Sequence, residues 1–370
     1  TFGLYMGGLS TRTPFMIALF VELCYAFLLG SRTLRVTSAV DAPARDLGLL
    51  AALLARLEQE RFEAPLLHRM QGVLRSGDMI ASAEIARLGR LVNRMDWQRN
   101  IVFAPIAIAL LWSAQIAIAI ERWRKRAGPH IGSWIRQVGE FEALLALAGY
   151  SYEHPEDPFP DLTGAPACFQ AEGIGHPLIP EAVRNSIELG SDLRLLIVSG
   201  SNMSGKSTLL RAVGLNAVLA WAGAPVRANN LRISPLRVGA SIRVLDSVQD
   251  GRSRFYAEIT RLREIVEMTN TGGTVLFLID ELLSGTNSHD RKIGAGAIVR
   301  TLVERGAVGL VTTHDLALTD IATTLSGSAA NVHFEDMLEN GKLHFDYHLR
   351  RGVVERSNAL DLMRSVGLEV

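Results

Sequence analysis

The sequence predicts an α/β fold with a mainly parallel, twisted sheet and flanking helices, preceded by an all-α region. After residue 160, short β-rich runs alternate with helical runs, and the clearest strands are "RLLIVSG", "TVLFLID" and "VGLVTTHD". Such alternation is typical of a parallel sheet covered by helices. Before residue 160, "LGLLAALLARL" and "IARLGRLVNRM" place leucines at three- and four-residue spacing, which indicates amphipathic helices.

Length, charge and cysteine content narrow the class of protein. The chain has 370 residues, enough for two or three domains. Its 38 basic and 38 acidic residues cancel, which argues against a simple electrostatic nucleic-acid binder but leaves room for a local basic patch. Cys24 and Cys168 match neither a metal-ligand spacing nor a disulfide framework, so we expect a reducing compartment. The N-terminus has no signal-peptide pattern, and we expect further residues before Thr1.

A glycine turn joins the predicted strand "RLLIVSG" to the predicted helix "KSTLLRAVG" and matches the phosphate-binding P-loop pattern. In such a loop, backbone N–H groups point at the phosphates and glycines let the backbone approach them. Lys206 would supply positive charge to the outer phosphates of ATP, and Ser207 is a predicted Mg²⁺ ligand. The predicted nucleotide-binding residues are Gly200, Ser201, Asn202, Met203, Ser204, Gly205, Lys206, Ser207 and Thr208.

Two further predicted strands end in polar residues. The strand "TVLFLID" delivers Asp280 and Glu281 to the carboxyl edge of the sheet, where α/β proteins bind ligands. Asp280 is a predicted Mg²⁺ ligand, directly or through water, and Glu281 would polarise the attacking water. His314 ends the strand "VGLVTTHD". A satisfied surface histidine is the alternative there, but beside the other two motifs we interpret His314 as a γ-phosphate sensor.

These motifs resemble those of the MutS family of ATPases. The resemblance rests on "GSNMSGKSTLLRAVGLNAVLAWAGAPVRA" for the P-loop region and on "DSVQDGRSRFYAEITRLREIV" for the signature segment. The segment "LIDELLSGTNSHDRKIGAGAIVRTLVERGAVGLVTTHD" is similar to the family's Walker B motif, D-loop and switch histidine. The segment "GIGHPLIP" is similar to its His-Pro element, and the C-terminal "FDYHLRRGVVERSNALDLMRSVGLEV" to its closing segment. The resemblance covers roughly 165–370 strongly and 40–160 weakly.

The resemblance implies a P-loop ATPase of the ATP-binding-cassette type, in which two subunits of a homodimer share each ATP site. The subunits would meet head to tail, so that Ser253 donates to the γ-phosphate in trans and residues 284–287 cross the interface as the D-loop. ATP and Mg²⁺ are the implied cofactors. The implied catalytic residues are Glu281, Lys206, His314 and Ser253.

Three more side chains have open interpretations. Arg252 and Arg254 flank Ser253, and each is either a charge stabiliser or a solvated arginine. His176 lies in the His-Pro element, which is near the adenine in the family, so it is a candidate nucleotide contact; a structural histidine is the alternative.

We predict three segments along the chain: a transmembrane helix over 1–30, a helical lever or core region over 31–159, and the MutS-like ATPase domain over 160–370. The positive mean hydropathy comes largely from two apolar runs, 14–30 and 101–120. Both approach the length of about 20 residues that a spanning helix needs.

The expected membrane topology indicates which of the two apolar runs spans the membrane. If each crossed once, the arginine-rich segment 31–100 would lie opposite the nucleotide site, whereas the positive-inside rule places it with that site in the cytoplasm. We therefore expect 14–30 to span, paired with residues upstream, and to tether the ATPase domain to the inner membrane; a buried core helix is the alternative. We expect 101–120 to be a buried or interface helix, because a proline and a glutamine interrupt it.

Three functions remain in competition. In the first, a MutS-like ATPase couples nucleotide state to binding or clamping of mismatched or branched DNA, with arginines of 31–100 either contacting phosphates or simply solvated. In the second, a membrane-tethered ATPase drives a partner other than DNA. In the third, the protein is a nucleotide-dependent dimerisation switch. The mismatch-reading domain of the family, with its Phe-x-Glu motif, is not visible, and the motor alone does not define a substrate. A small-molecule kinase is disfavoured, because the signature segment and D-loop have no part in one.

Overall fold

The computed structural model describes residues 16–17, 20, 44–76, 79–164, 166–242, 254–325, 327–339 and 342–354. The chain divides into two compact units, Thr1–Leu145 and Ala146–Val370. Apart from three positions, the predicted spanning helix over 14–30 lies outside the described residues.

Helices make up most of the described part of the first unit. A two-residue antiparallel hairpin, β1 (Arg75–Ser76) and β2 (Met79–Ile80), separates the second helix from the third. A 3-10 turn over Trp97–Arg99 follows the third helix. The helices are α1 (Ala44–Gln59), α2 (Pro65–Leu74), α3 (Ala81–Asp96), α4 (Ala104–Ala109) and α5 (Trp112–Glu153), the last of which continues into the second unit.

The core of this unit lies between the apolar faces of α1, α3 and α5. On α3, Ile85, Leu88 and Val92 are buried at three- and four-residue spacing, which places them on one face of the helix. The indole Nε1 of Trp123, on α5, donates to the backbone oxygen of Glu84 over 2.9 Å. That bond fixes α5 beside α3 at the point where both bury their apolar side chains.

The apolar run 101–120 forms two helical pieces rather than the single helix that we expected. Pro105 lies in the first turn of α4, where a missing N–H leaves no helical bond unmade. Leu111 then adopts a left-handed backbone, with φ 47°, and breaks the helix before α5 begins. Ile101 is 90% exposed, whereas Ile120 is buried. Among the described helices, none combines the length and the apolar character that a membrane span requires.

The second unit is organised around a six-stranded sheet in the order β12-β11-β6-β10-β9-β8. Neighbours are parallel from β11 to β8, and only β12 runs antiparallel, against β11. The predicted mainly parallel sheet is confirmed. The strands are β6 (Leu195–Ser199), β8 (Leu236–Ser241), β9 (Thr274–Ile279), β10 (Val308–Thr313), β11 (Ala329–Glu339) and β12 (Lys342–Arg351).

Helices cover both faces of this sheet, and the central strand β6 is buried along its whole length. Side chains that alternate along a strand point to opposite faces. Accordingly Leu196 and Val198 join the apolar cluster that includes α6, whereas Leu195 and Ile197 join the cluster that includes α7 and α8. These helices are α6 (Lys206–Ala222), α7 (Arg254–Met268) and α8 (Ser288–Glu304).

A second sheet has four strands in the order β3-β7-β4-β5. In sequence, β3, β4 and β5 come before the P-loop and β7 comes after it. Its central strands β7 and β4 pair antiparallel, and Phe169 lies opposite Ile233. This sheet was not predicted from the sequence. The strands are β3 (Asp161–Leu162), β4 (Phe169–Ile174), β5 (Asn185–Leu189) and β7 (Asn230–Ile233); after β10 come a 3-10 turn (Leu316–Leu318) and the short helix α9 (Asp320–Thr324).

Candidate nucleotide site

The predicted P-loop joins the end of β6 to the start of α6. Three of its residues have positive φ: Gly200 at 146°, Met203 at 68° and Gly205 at 100°. A Cβ atom at position 200 would lie 3.0 Å from the backbone oxygen of Phe334. Glycine is therefore required there both by the backbone conformation and by the close approach of β11.

Lys206, the first residue of α6, is buried inside this loop with 5% of its surface exposed. Its Nζ donates to the backbone oxygens of Gly200, over 2.9 Å, and Ser201, over 2.7 Å. Burial lowers the pKa of this ammonium, while the nearby charges of Glu281 and Asp280 act in the opposite direction and raise it. The P-loop lysine and the two predicted acids therefore share one electrostatic environment.

The loop also contains polar atoms suited to a phosphate. Within the part of the chain that the structure describes, the hydroxyl oxygens of Ser201 and Ser204 are buried and have no hydrogen-bond partner. Buried hydroxyls normally have a partner, so such atoms in a loop at a helix N-terminus fit a phosphate ligand. Asn202 is exposed, and Ser207 and Thr208 are half-buried in the first turn of α6.

The two acids follow β9 directly and are held by one hydroxyl from β10. Thr312 Oγ1 donates to Asp280 Oδ1 over 2.7 Å. The same hydroxyl accepts the backbone N–H of Glu281 over 2.8 Å. Glu281 has φ 51°, a left-handed conformation that is uncommon for a residue other than glycine. Thr312 therefore fixes both the metal-binding candidate and the backbone of the catalytic candidate.

His314 lies beside Glu281, with 3.8 Å between His314 Nδ1 and Glu281 Oε1. The side chains are partly exposed, 47% for the histidine and 33% for the glutamate. The structure thus brings together the two residues for which the sequence analysis predicted water activation and γ-phosphate sensing.

Asp280 and Ser207 are the residues that would hold Mg²⁺. Among the described residues, no group of three or more His, Cys, Asp or Glu side chains is arranged to hold a metal. A single carboxylate and a hydroxyl nevertheless suit Mg²⁺, which keeps several waters and takes its other ligands from nucleotide phosphates.

His176 lies in the loop between β4 and β5, beside helix α6. Burial lowers the pKa of its imidazole, and the charge of Arg211 on α6 lowers it further. Its Nδ1 accepts the backbone N–H of Leu178 over 3.2 Å. Asn216 anchors the same loop to α6, because its Nδ2 donates to the backbone oxygen of Gly175 over 3.0 Å.

An aromatic side chain that was not predicted from the sequence lies next to the P-loop. Tyr347, on β12, has φ 57°, and a Cβ atom at position 205 would lie 3.2 Å from its ring carbon Cδ1. Asn185 holds this part of β12, since its Nδ2 donates to the backbone oxygen of Tyr347 over 3.0 Å and its Oδ1 accepts the N–H of Leu349 over 2.7 Å. The only signal in the sequence is the aromatic alternation in "HFDYH".

The signature segment is represented in the structure by its helix. Arg252 and Ser253 lie outside the described residues, as does the side chain of Arg254. Glu258, on α7, is buried and accepts the backbone N–H of Leu283 over 2.7 Å. In the predicted D-loop, the Oδ1 of Asn287 accepts the N–H of Asp290 over 2.9 Å and caps helix α8.

Comparison with known families finds a similarity in this unit. Residues 196–369 match MutS domain V, a P-loop ATPase domain. The matched range includes Lys206, Asp280, Glu281 and His314. Residues 196–369 are therefore similar to the ATPase domain of the MutS family.

Two relatives show how far the similarity extends. The chain is 38% identical over 201 residues to Endonuclease MutS2 of Thermus thermophilus, an alignment that covers 52% of this chain and 25% of that protein. It is 32% identical over 265 residues to DNA mismatch repair protein MutS of Natronomonas pharaonis, covering 69% of this chain and 29% of that protein. The chain thus spans less than a third of the length of these curated relatives.

Proposed function

We propose that this protein binds and hydrolyses ATP with its MutS domain V and couples the nucleotide state to DNA. The observation that carries the ATPase part is the cluster at the edge of the main sheet. There burial lowers the pKa of Lys206, while the charges of Glu281 and Asp280 act to raise it. His314 Nδ1 lies 3.8 Å from Glu281 Oε1. A positive charge for phosphates, a metal ligand and an acid for water activation are the parts that phosphoryl transfer to water needs.

Each residue has a distinct part in the proposed hydrolysis. The ammonium of Lys206 would exchange the carbonyls of Gly200 and Ser201 for the outer phosphates. Glu281 would orient the attacking water for in-line attack on the γ-phosphate, and His314 would contact the γ-phosphate. When bound by Asp280 and Ser207, Mg²⁺ would neutralise charge that develops on the phosphate oxygens.

Recognition of the base is proposed for Tyr347 and His176, which both lie near α6. The ring of Tyr347 lies against Gly205 and offers an aromatic face for stacking. His176, whose pKa is lowered by burial, would present a neutral imidazole beside the same helix. We therefore expect Tyr347→Ala to weaken ATP binding while Tyr347→Phe retains it.

The shared ATP site is proposed from the family resemblance. Two subunits would meet head to tail, with Ser253 of the signature segment completing the site of the partner and residues 284–287 crossing as the D-loop. Mixed dimers test this arrangement. A Ser253→Ala subunit combined with a Lys206→Ala subunit should regain one complete site and about half of the parental turnover per dimer, whereas each variant alone is inactive. Failure of every mixed dimer to recover would remove the site in trans.

DNA is the proposed partner because both relatives carry names of DNA-acting proteins. The test is steady-state ATP hydrolysis with and without homoduplex, mismatched and branched DNA, at low and moderate salt. Stimulation that weakens as salt rises is expected, because arginine–phosphate contacts release counterions. Hydrolysis that is indifferent to every DNA at both salt concentrations would overturn the DNA part and leave the ATPase part standing.

A second candidate function, a membrane-associated motor, is favoured by an exposed apolar segment. Around the end of α3 and the start of α4, Ile101 is 90% exposed and Val102 is 83% exposed. With the apolar run 14–30, these side chains would attach the protein to the cytoplasmic face of the inner membrane. Flotation with anionic lipid vesicles tests this: the parent should float, and Ile101→Asp with Val102→Asp should float less.

The remaining alternative is a nucleotide-dependent dimerisation switch, in which the helical region and the ATPase domain have different parts. In this proposal the helical region 31–159 acts as a lever that the nucleotide state moves. A protein that dimerises when it binds ATP, but does not turn ATP over, is not stimulated by DNA and does not bind vesicles, would favour the switch over both motors.

A further inference from the structure

The turn that follows Glu281 has an unusual backbone. Two of its residues other than glycine, Glu281 at φ 51° and Leu283 at φ 54°, adopt the left-handed conformation within three positions. Such conformations persist only where the surroundings hold them, and they cluster at functional sites. The turn therefore depends on contacts from outside, and its geometry sets where the Glu281 carboxylate points.

One arginine on α8 makes several of those contacts. The guanidinium of Arg291 donates from Nε to the backbone oxygen of Leu283 over 3.1 Å. Its Nη2 donates to the backbone oxygens of Ser284, over 3.2 Å, and Thr286, over 2.9 Å. The side chain is only 14% exposed. A planar guanidinium has donors pointing in several fixed directions, which lets one side chain hold three carbonyls of one turn.

The same guanidinium reaches the loop after β10. Its Nη1 donates to Asp315 Oδ2 over 3.4 Å, and Asp315 directly follows His314 in sequence. Asp315 is itself held in its loop, because its N–H donates to Thr313 Oγ1 over 2.9 Å. Arg291 therefore connects the turn that carries Glu281 to the loop that carries His314.

A second charged side chain, on α7, also holds the turn. Glu258, buried on α7, accepts the N–H of Leu283 over 2.7 Å, while Arg291 binds the carbonyl of the same residue. Both backbone polar groups of the strained Leu283 are thus bound by charged side chains, one from the signature helix and one from α8. Hydrogen bonds to charged groups are stronger than those between neutral groups.

We propose that Arg291 is a positioning residue for ATP hydrolysis. Together with Glu258 it fixes the turn over 281–286, so that the Glu281 carboxylate is aimed at the attacking water, and through Asp315 it keeps His314 in register with that turn. Arg291 acts through the backbone and does not form part of the P-loop. This inference rests on the proposed ATPase function of the same site.

The test separates turnover from binding in the full-length protein. We would measure ATP hydrolysis and, separately, Mg²⁺-dependent binding of a fluorescent ATP analogue for the parent, Arg291→Ala and Arg291→Lys. Arg291→Ala should lower kcat by about 10- to 100-fold, because small misplacement of a catalytic group has effects of that size, with Kd changed by less than about twofold. Arg291→Lys should be intermediate, since an ammonium keeps the charge but not the fork.

A matched control is Arg300→Ala, which removes an exposed arginine from the same helix and should leave kcat and Kd at parental values. A purely structural part for Arg291 would lower thermal stability and weaken binding and turnover together. That result, or a parental kcat in Arg291→Ala, would overturn the proposal. If Arg291→Ala does not fold, Asp315→Asn answers the same question, because it removes the charge that pairs with Arg291 while keeping the shape, and it should lower kcat with Kd unchanged.

Failure of the inference and failure of the proposed function are distinguishable. A parent protein that hydrolyses ATP, a Glu281→Gln variant that does not, and a fully active Arg291→Ala variant would overturn the positioning part alone. A parent protein that binds ATP but never hydrolyses it would overturn the proposed function, and the positioning part with it.

Discussion

Thr312 and Asp280 are joined by a hydrogen bond of 2.7 Å, in which the hydroxyl on β10 donates to the carboxylate at the end of β9. The same hydroxyl accepts the N–H of Glu281 over 2.8 Å. The parallel register that places Val311 beside Ile279 brings Thr312 level with both acids. A single buried side chain on one strand thus positions the two carboxylates that follow its neighbour.

Thr312→Val therefore tests how far this hydroxyl supports turnover. Valine keeps the shape but leaves the buried N–H of Glu281 and an oxygen of Asp280 without their partner, a loss of about 1–3 kcal/mol. We expect kcat to fall about tenfold or more if that loss appears in the transition state. Thr312→Ser restores the hydroxyl and should stay close to the parent; equal activity of the valine and serine variants would contradict the bridging geometry.

Lys206→Ala should reduce ATP binding below detection. The ammonium is buried and surrounded by the loop carbonyls and two acids, so alanine removes the main positive charge that the P-loop offers to phosphates. Isothermal titration calorimetry with ATP and Mg²⁺ measures the effect. Lys292→Ala is the matched control, because Lys292 pairs with Asp320 at the surface and its loss should not alter Kd. Tight binding by Lys206→Ala would remove the P-loop assignment.

Glu281→Gln should bind ATP and stop turnover. Glutamine fits the same space and keeps the backbone N–H that Thr312 accepts, but it cannot act as a base toward the attacking water. General-base catalysis typically contributes 10²–10⁴-fold, so we expect kcat to fall by about that factor with Kd nearly unchanged. The variant should also accumulate as an ATP-bound dimer in size-exclusion chromatography. Hydrolysis at the parental rate would show that Glu281 is not the catalytic carboxylate.

The main sheet and the central site residues could be predicted from the sequence because they follow local rules. The strands β6, β9 and β10 are short apolar runs; the P-loop with Lys206 follows β6, Asp280 and Glu281 follow β9, and His314 follows β10. The carboxyl ends of parallel strands meet at one edge of the sheet, so residues at those ends are brought together. Both the strand pattern and the positions of these side chains are therefore visible without a structure.

Thr312 and Tyr347 were missed because their contacts depend on strand register and on pairs far apart in sequence. Arg291 was missed because its contacts follow from the conformation of the turn after Glu281, which the sequence does not show. Tyr347 reaches Gly205 across 142 positions of the chain, and nothing near either residue signals the contact. The four-stranded sheet was missed for the same reason: Phe169 pairs with Ile233, and its short strands are only partly buried. In the first unit, the break at Leu111 lies between Pro105 and Gln115, in the stretch "IAIALLWSA", which contains no glycine or proline that would predict it.

Tyr150 should make the stability of the second unit sensitive to alkaline pH. Burial raises the pKa of its phenol to about 12, and its hydrogen bond to Asp157, of 2.9 Å, adds to that rise. At pH values between the ordinary tyrosine pKa of 10.0 and about 12, the unfolded chain loses this proton while the native state keeps it. The unfolding free energy must therefore fall as pH rises through that window, because the native state binds more protons.

The measurement for Tyr150 is urea unfolding at several pH values from 9 to above 11, compared with Tyr150→Phe, in which this contribution to the slope disappears. Tyr152→Phe is the control, because Tyr152 is 87% exposed and lies only two positions away. An identical pH slope in the parent and in Tyr150→Phe would show that the native state does not hold this proton.

Gly309 is the glycine at which the main sheet should tolerate a side chain least. It lies on β10 opposite Phe277, and a Cβ atom at this position would fall 2.0 Å from the backbone oxygen of Phe277 and 2.6 Å from its Cγ. Gly309→Ala must push β9 away from β10 and should lower the unfolding free energy by about 1–3 kcal/mol or more. Gly296→Ala, on α8, meets nothing within 4 Å and should be neutral or stabilise the protein by up to about 1 kcal/mol. Chemical unfolding of both variants measures these changes.

Gly309→Ala should also lose ATP turnover, because β9 and β10 position Asp280, Glu281 and Thr312. A Gly309→Ala variant with parental stability and parental turnover would contradict the close strand packing.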